Sequence, residues 1–232
     1  MQLYQYDTGY RYNSDTLLLY HFISTFHPQG RVLDVGCGCG ILGLLLKRDF
    51  PRIEMNLIDI QEANSHLARE NAQLNSLDIA QIDCGDFLQM SVETKYDMIV
   101  SNPPFYHHGV VKSTNESLFL SRHSSAMPFD AFAMKVTKSL SNRGYFCFCY
   151  DAKQIDLLFK GLSAAKLNVE DICFVYPSRD KEASLVMMRA RKNSKSLCRV
   201  HAPLYIYKGE QFSNEVQAIF NQSQTKSLVW PN

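Results

Sequence analysis

The nine residues VLDVGCGCG, residues 32–40, run from an apolar, strand-like segment into glycines at three alternate positions, Gly36, Gly38 and Gly40. Glycines so placed let the backbone take dihedrals that a side chain forbids, and they let it approach a ligand closely. The turn does not follow the G-x-G-x-x-G pattern of a dinucleotide fold or the Gly-Lys-Ser/Thr ending of a phosphate loop, because Ile41 and Leu42 follow Gly40. Outward from this turn, strand patterns at 31–35, 55–59, 79–83, 98–101, 145–150, 169–176 and 184–190 alternate with helical patterns at 41–48, 62–74, 129–140 and 154–165. Such alternation predicts an α/β, Rossmann-like fold with a seven-stranded, mostly parallel sheet covered by helices on both faces. The short polar segment at 177–183 joins the last two strands and predicts an antiparallel hairpin at one edge. One domain is expected over 1–232, with a segment at 1–30 ahead of the core at 31–191 and an extension at 192–232; only 192–196 reads as linker.

Composition bounds the function classes. Of 232 residues, 46% are hydrophobic, enough for a sizeable core. The apolar stretches 17–26 and 32–46 are interrupted by His, Ser, Asp, Gly and Cys, so they fall short of the roughly 20 clean residues of a membrane span. The start MQLYQYDTGYRY has no signal-peptide pattern, which points to a cytoplasmic protein. The seven cysteines include no C-x-x-C pair, so they read as core residues; Cys147 and Cys149 share one face of a strand. His107, His108 and His123 read as loop residues or phosphate contacts, and no metal is expected. Net charge is +1, but its distribution is uneven: residues 1–100 hold 7 Lys+Arg against 13 Asp+Glu, and residues 101–232 hold 17 against 10. The basic run from Arg179 to Lys208 is as compatible with a solvated surface as with phosphate binding.

Asp34, Gly36 and Gly38, followed by Asp59 at the end of the next strand pattern and Asp86 after the third, resemble the first motifs of class I S-adenosyl-L-methionine-dependent methyltransferases. That resemblance implies the class I methyltransferase fold and that cofactor. Asp34 would face its ammonium, Asp59 its ribose hydroxyls and Asp86 its adenine amine, with Ile60 and Phe87 covering the adenine ring. Asp15 and Thr16, in YNSDTLLL, would lie near the cofactor.

The fourth strand pattern ends in SNPPF, residues 101–105. Its amide oxygen at Asn102 and its carbonyl at Pro103 can each accept a hydrogen bond from a planar exocyclic amine. Two prolines fix φ and remove two competing donors, and Phe105 offers a face on which a base can stack. The stretch is similar to the N-P-P-[YF] signature of amino-methyltransferases acting on adenine N6, guanine N2 or a glutamine amide. About thirty residues precede the glycine turn, which is short for the helical domain of the release-factor enzymes. A chain of this length also lacks room for the duplicated domain of the ribosomal guanine enzymes.

The segments SNPPFYHHGVVKST and SRHSSAMPFDAF resemble the bacterial tRNA1(Val) adenine-N6 methyltransferases. This implies a tRNA partner, no membrane and a monomer, with Lys112, Arg122, His123 and the basic run from Arg179 to Arg199 as the RNA-facing surface. A ribosomal guanine-N2 enzyme, a protein glutamine methyltransferase and a non-catalytic RNA-binding module stay open as alternatives.

Overall fold

The computed structural model describes residues 1–6, 14–91, 93–103 and 128–230. Pro104, Phe105, His107, His108, Lys112, Arg122 and His123 lie outside the described residues. The chain order is β1 (Gln2–Gln5), α1 (Ser14–Ser24), β2 (Arg31–Val35), α2 (Ile41–Asp49), β3 (Glu54–Asp59), α3 (Glu62–Leu74), β4 (Gln81–Cys84), β5 (Tyr96–Ser101), α4 (Phe129–Ser139), β6 (Leu140–Asp151), α5 (Ile155–Ala164), β7 (Leu167–Tyr176) and β8 (Leu185–Lys192). It continues as β9 (Arg199–Val200), β10 (Leu204–Tyr205), β11 (Tyr207–Lys208), β12 (Gln211–Phe212), α6 (Asn214–Ser223) and β13 (Lys226–Val229).

The main sheet runs β10-β7-β8-β6-β5-β2-β3-β4, and β9 pairs with β7. Among the described residues it therefore has nine strands rather than seven, the additional two being the two-residue β9 and β10. Strands β2 to β6 pair in parallel, and β8 runs against both β6 and β7. The antiparallel hairpin is present, but its reversed strand β8 sits inside the sheet, and β7 with its short partners forms the edge. Strand order reverses between β2, which leads toward β3, and β5, which leads toward β6. The carboxyl ends of β2 and β5 are therefore the switch point of the sheet, the place where open α/β sheets hold ligands in a crevice.

Alternation along β6 explains the sequence YFCFCY. Phe146, Phe148 and Tyr150 pack with α4 and α5, while Cys147 and Cys149 face the opposite layer with α1 and α2. The aromatic face is filled by a stack of Phe146 on Phe148 at 4.4 Å between ring centroids, with Phe132 of α4 edge-on at 5.4 Å. On the other face the small thiols leave room for α1, whose Leu17, Leu18, Leu19 and Ile23 are buried there.

The two chain ends are parts of one construction. Strand β1 pairs in parallel with β13, and its other edge is held by side-chain amides of α3. Asn71 Oδ1 accepts from Tyr4 N and Asn71 Nδ2 donates to Tyr4 O; Asn75 makes the same two bonds to Gln2. Two asparagines four residues apart on a helix face thus substitute for a neighbouring strand. The 192–196 segment is tied down by hydrogen bonds: Ser194 and Ser196 take hydrogen bonds from Arg191, and Asn168 donates to Ser196 O.

Candidate functional site

The glycine turn is shaped by its neighbours as much as by its own sequence. Gly36 N and Cys37 N both donate to Ile58 O, which ties the turn to the end of β3. Gly36, Gly38 and Gly40 have φ of 69°, 55° and 85°, the left-handed region that glycine reaches without strain. Among the described residues, a Cβ built at Gly36 or Gly38 meets nothing within 4 Å, so both face open space in the crevice. Gly43, in the first turn of α2, is the opposite case, since a Cβ there would come within 2.3 Å of Leu57 Cδ2. Its close packing brings the Gly43 N–H against Asp34.

Asp34 is 1% exposed, and its Oδ2 accepts from Gly43 N at 2.9 Å. Burial pushes its carboxyl up to about 7, with a further rise from the nearby Asp59, against the lowering effect of the Gly43 bond. Because the folded state favours the protonated carboxyl, this group weakens the fold progressively as pH rises from about 4 to about 7, and no further above that.

Asp59 is buried at the end of β3 and collects three donors from the protein itself. Its Oδ2 accepts from Gly38 N at 2.8 Å, and its Oδ1 accepts from Gln61 N at 2.9 Å and Asn64 Nδ2 at 3.1 Å. It therefore joins the glycine turn to the start of α3, a role that the sequence does not reveal. Burial raises its carboxyl above the ordinary value in spite of those donors. A carboxylate has about four lone-pair positions, so one acceptor position remains.

Of the residues expected around a ring, Ile60 is 51% exposed beside Asp59 and free to cover one. Phe87 is 4% exposed and packs edge-on against Phe132 at 5.8 Å, so its ring is part of the core under α4. Asp86 is half-buried, and its Oδ1 accepts from Leu88 N at 2.9 Å, which shapes the turn after β4.

Across the crevice, β5 ends in Ser101, whose hydroxyl donates to Val35 O at 2.7 Å and locks the two switch-point strands together. Asn102 follows. Its Nδ2 donates to Thr16 Oγ1 at 2.9 Å, and its Oδ1 accepts from the Cys149 thiol at 3.1 Å. Pro103 is buried behind it. Thr16, Asp34, Gly36, Cys37, Gly38, Ile41 and Asn102 line one shared crevice. Asp15, next to Thr16 in the first turn of α1, is half-buried and close enough to raise the Cys149 pKa electrostatically. Thus Asp34, Gly36, Gly38 and Asn102 share the crevice, Asp59 adjoins it through its bond to Gly38 N, Asp15 adjoins it beside Thr16, and Phe87 lies in the core. Cys149 was read from sequence as packing alone; its contact with Asn102 depends on β6 lying beside β5.

The basic run divides in two. Because β8 is reversed, Arg189, Arg191 and Lys192 lie at the end of the sheet away from the crevice: Tyr145 pairs with Arg191, and Asp151 pairs with Leu185. Arg189 is bound to the buried Asp171 at 2.7 Å and lies 4.0 Å over the Phe26 ring; Arg191 is bound to Glu170 at 2.6 Å. These two guanidiniums are committed to internal acids, so the expectation that the whole run faces RNA does not hold. Arg179 and Lys181, between β7 and β8, lie at the crevice end and are exposed, and Lys208, in β11, is exposed.

Among the described residues no helix is long and apolar enough to cross a membrane, and no cluster of three His, Cys, Asp or Glu forms a metal site.

The model of the methyltransferase small domain matches residues 12–125. The chain is 23% identical to a tRNA1(Val) (adenine(37)-N6)-methyltransferase of Vibrio campbellii, over 90% of this chain and 86% of the relative. Among solved structures, an Agrobacterium tumefaciens protein described as a predicted O-methyltransferase superposes with a TM-score of 0.70 at 14% identity, covering 92% of this chain and 99% of the other. A 16S rRNA N2-guanine methyltransferase of T. thermophilus, solved with AdoMet and guanosine, gives 0.56 at 23% identity, covering 78% and 44%.

Proposed function

We propose, on the premise that this chain carries a methyltransferase small domain on a class I methyltransferase fold, that it transfers a methyl group from S-adenosyl-L-methionine to the N6 amine of an adenine in tRNA, in the anticodon loop of tRNA1(Val). The observation that carries this reading is Asn102, an amide held at both ends at the carboxyl end of β5, facing the glycine turn. The likeness to the Vibrio relative over most of the chain supports the tRNA substrate. Described residues of both terminal segments belong to the same folding unit as the core in this reading, because β1 and β13 pair and Asn71 links β1 to the turn at Cys39 O.

The residues present fit the cofactor. Open space lies over Gly36 and Gly38, Asp34 offers a carboxyl to an ammonium, Asp59 keeps an acceptor position for a ribose, and Ile60 can cover an adenine. The cofactor supplies a methyl on a sulfonium; the chain supplies position. An exocyclic amine has its lone pair delocalised into the ring, and acceptors that draw its hydrogens out of the plane turn that lone pair toward the methyl. Asn102 Oδ1 and the Pro103 carbonyl are those acceptors, and Phe105 is the stacking face. An adenine in a loop is already largely unpaired, so presenting it costs less than extracting one from a duplex. The protein would work as a monomer in the cytoplasm, where its tRNA is.

Incubation with methyl-labelled cofactor and, separately, tRNA, rRNA and release factor tests the assignment. Label is expected in tRNA, recovered as N6-methyladenosine. Label appearing as N2-methylguanosine in rRNA, the activity named for the T. thermophilus protein, or only in protein would overturn it.

Asp34 gives the cofactor site a pH dependence of its own. With the carboxyl at about 7 and the cofactor's ammonium favouring the charged form, affinity should strengthen up to about tenfold per pH unit between pH 5 and 7 and then level off. Calorimetry across that range checks it, and Asp34→Asn should flatten the profile.

A further inference from the structure

We infer that Thr16 and Cys149 are positioning residues that set which way the Asn102 amide points, an inference that rests on the reading of Asn102 as the acceptor for the substrate amine. An asparagine side chain has a donor end and an acceptor end of nearly the same shape, and only its partners distinguish them. If the amide turned over, Nδ2 would face the substrate amine, and two donors would oppose each other where an acceptor is required.

Each end has one anchor. Thr16, in the first turn of α1, takes the Nδ2 hydrogen on its Oγ1 at 2.9 Å. Cys149, on β6 and 0% exposed, donates its S–H to Oδ1 at 3.1 Å. The thiol matters because it is fixed as a donor: burial and the charge of Asp15 raise its pKa well above the ordinary value, so it keeps its proton throughout the physiological range. A deprotonated thiol would attract Nδ2 and favour the reversed amide.

The thiol is also a weak donor, so it orients the oxygen without occupying it fully. The second lone pair of Oδ1 is left for the incoming amine. The anchors come from two elements far apart in sequence, α1 and β6, that meet only because β6 lies beside β5 and presents its small residues to α1. In this role the two anchors act through Asn102 and not on cofactor or substrate, although Thr16 also lines the crevice.

Three variants and two readouts test this. In Thr16→Val the side chain keeps its shape and loses its acceptor, whereas Thr16→Ser restores it; Cys149→Ala removes the thiol donor. Expected for Thr16→Val is a fall in kcat of about tenfold, with KM for RNA and Kd for cofactor within twofold, and recovery of most of the rate in Thr16→Ser. Cys149→Ala should lower kcat several-fold with the same split. A rise in cofactor Kd as the main effect of Thr16→Val would show that Thr16 contacts the cofactor directly, and would overturn the inference.

The second readout needs no substrate: the side-chain NH2 signals of Asn102 in the 15N-labelled protein should exchange slowly with water in the wild type and quickly in Thr16→Val. Unchanged exchange overturns the inference, and so does fast exchange in a variant with full kcat. If the wild type methylates no RNA, the proposed function falls, and the exchange measurement alone then decides whether the amide is anchored. Far-UV circular dichroism and retained cofactor binding establish that each variant is folded.

Discussion

Asn102→Ala is expected to lower kcat for methyl transfer by about 10²–10³-fold while leaving cofactor affinity within about threefold. That range is the usual loss when one preorganised hydrogen-bonding group is removed from a reacting centre. The alanine deletes the oxygen that would draw the amine hydrogens out of plane, and the Pro103 carbonyl is then left as a single acceptor that cannot fix the lone-pair direction. Cofactor affinity is spared because the glycine turn, Asp34 and Asp59 are carried by β2, β3 and α2, none of which depends on the Asn102 side chain. Losing the Thr16 and Cys149 contacts should cost about 1–2 kcal/mol of stability, too little to unfold a domain of this size. Single-turnover transfer with labelled cofactor, together with calorimetry, checks both halves. Transfer within a few-fold of the wild type would remove Asn102 from the reaction.

Asp59→Ala should produce the converse result, a loss of cofactor affinity of about 10²-fold or more. A ribose hydroxyl donating to the acceptor position left on this ionised group contributes about 1.5–3 kcal/mol. The structure adds a second cause, since Asp59 Oδ2 holds Gly38 N and Oδ1 holds Gln61 N and Asn64. With the carboxylate gone, Gly38 is free to leave its left-handed conformation, so the open space above the turn is no longer held in shape. Stability should fall less than three lost bonds suggest. Burial holds the carboxyl above its ordinary value, so its removal also relieves a desolvation cost that offsets part of the loss. A net of about 1–2 kcal/mol and a Tm lower by about 2–8 °C are expected. Calorimetric titration with cofactor, and thermal denaturation without it, separate the two effects; an unchanged cofactor Kd would remove Asp59 from the site.

The layout of the sheet was legible because parallel strands covered on both faces read as apolar runs, and helices between them read as amphipathic periods. Helix α3 falls at 62–74 in sequence and structure alike. The terminal elements were not legible: β1 and β13 are four residues each, too short to carry a period, and α1 is apolar nearly all round because α2, α6 and β6 enclose it. The two-residue β9 and β10 exist only because the edge of β7 is there to pair with them.

The sequence by itself determined the order of strands and helices, the glycine turn, and the acids and amide at successive strand ends, because these depend on local dihedral freedom and on spacing along one chain. Only the tertiary structure decided what each group is attached to. It bound Arg189 and Arg191 to buried acids, put the Phe87 ring into the core, made Asp59 a brace for the glycine turn, and set Thr16 and Cys149 at the two ends of Asn102. Those pairings join residues 18 to 86 positions apart. Hydrogen bonds and ring contacts act over a few ångströms of space, and separation along the chain carries no information about that distance until the sheet order has fixed it.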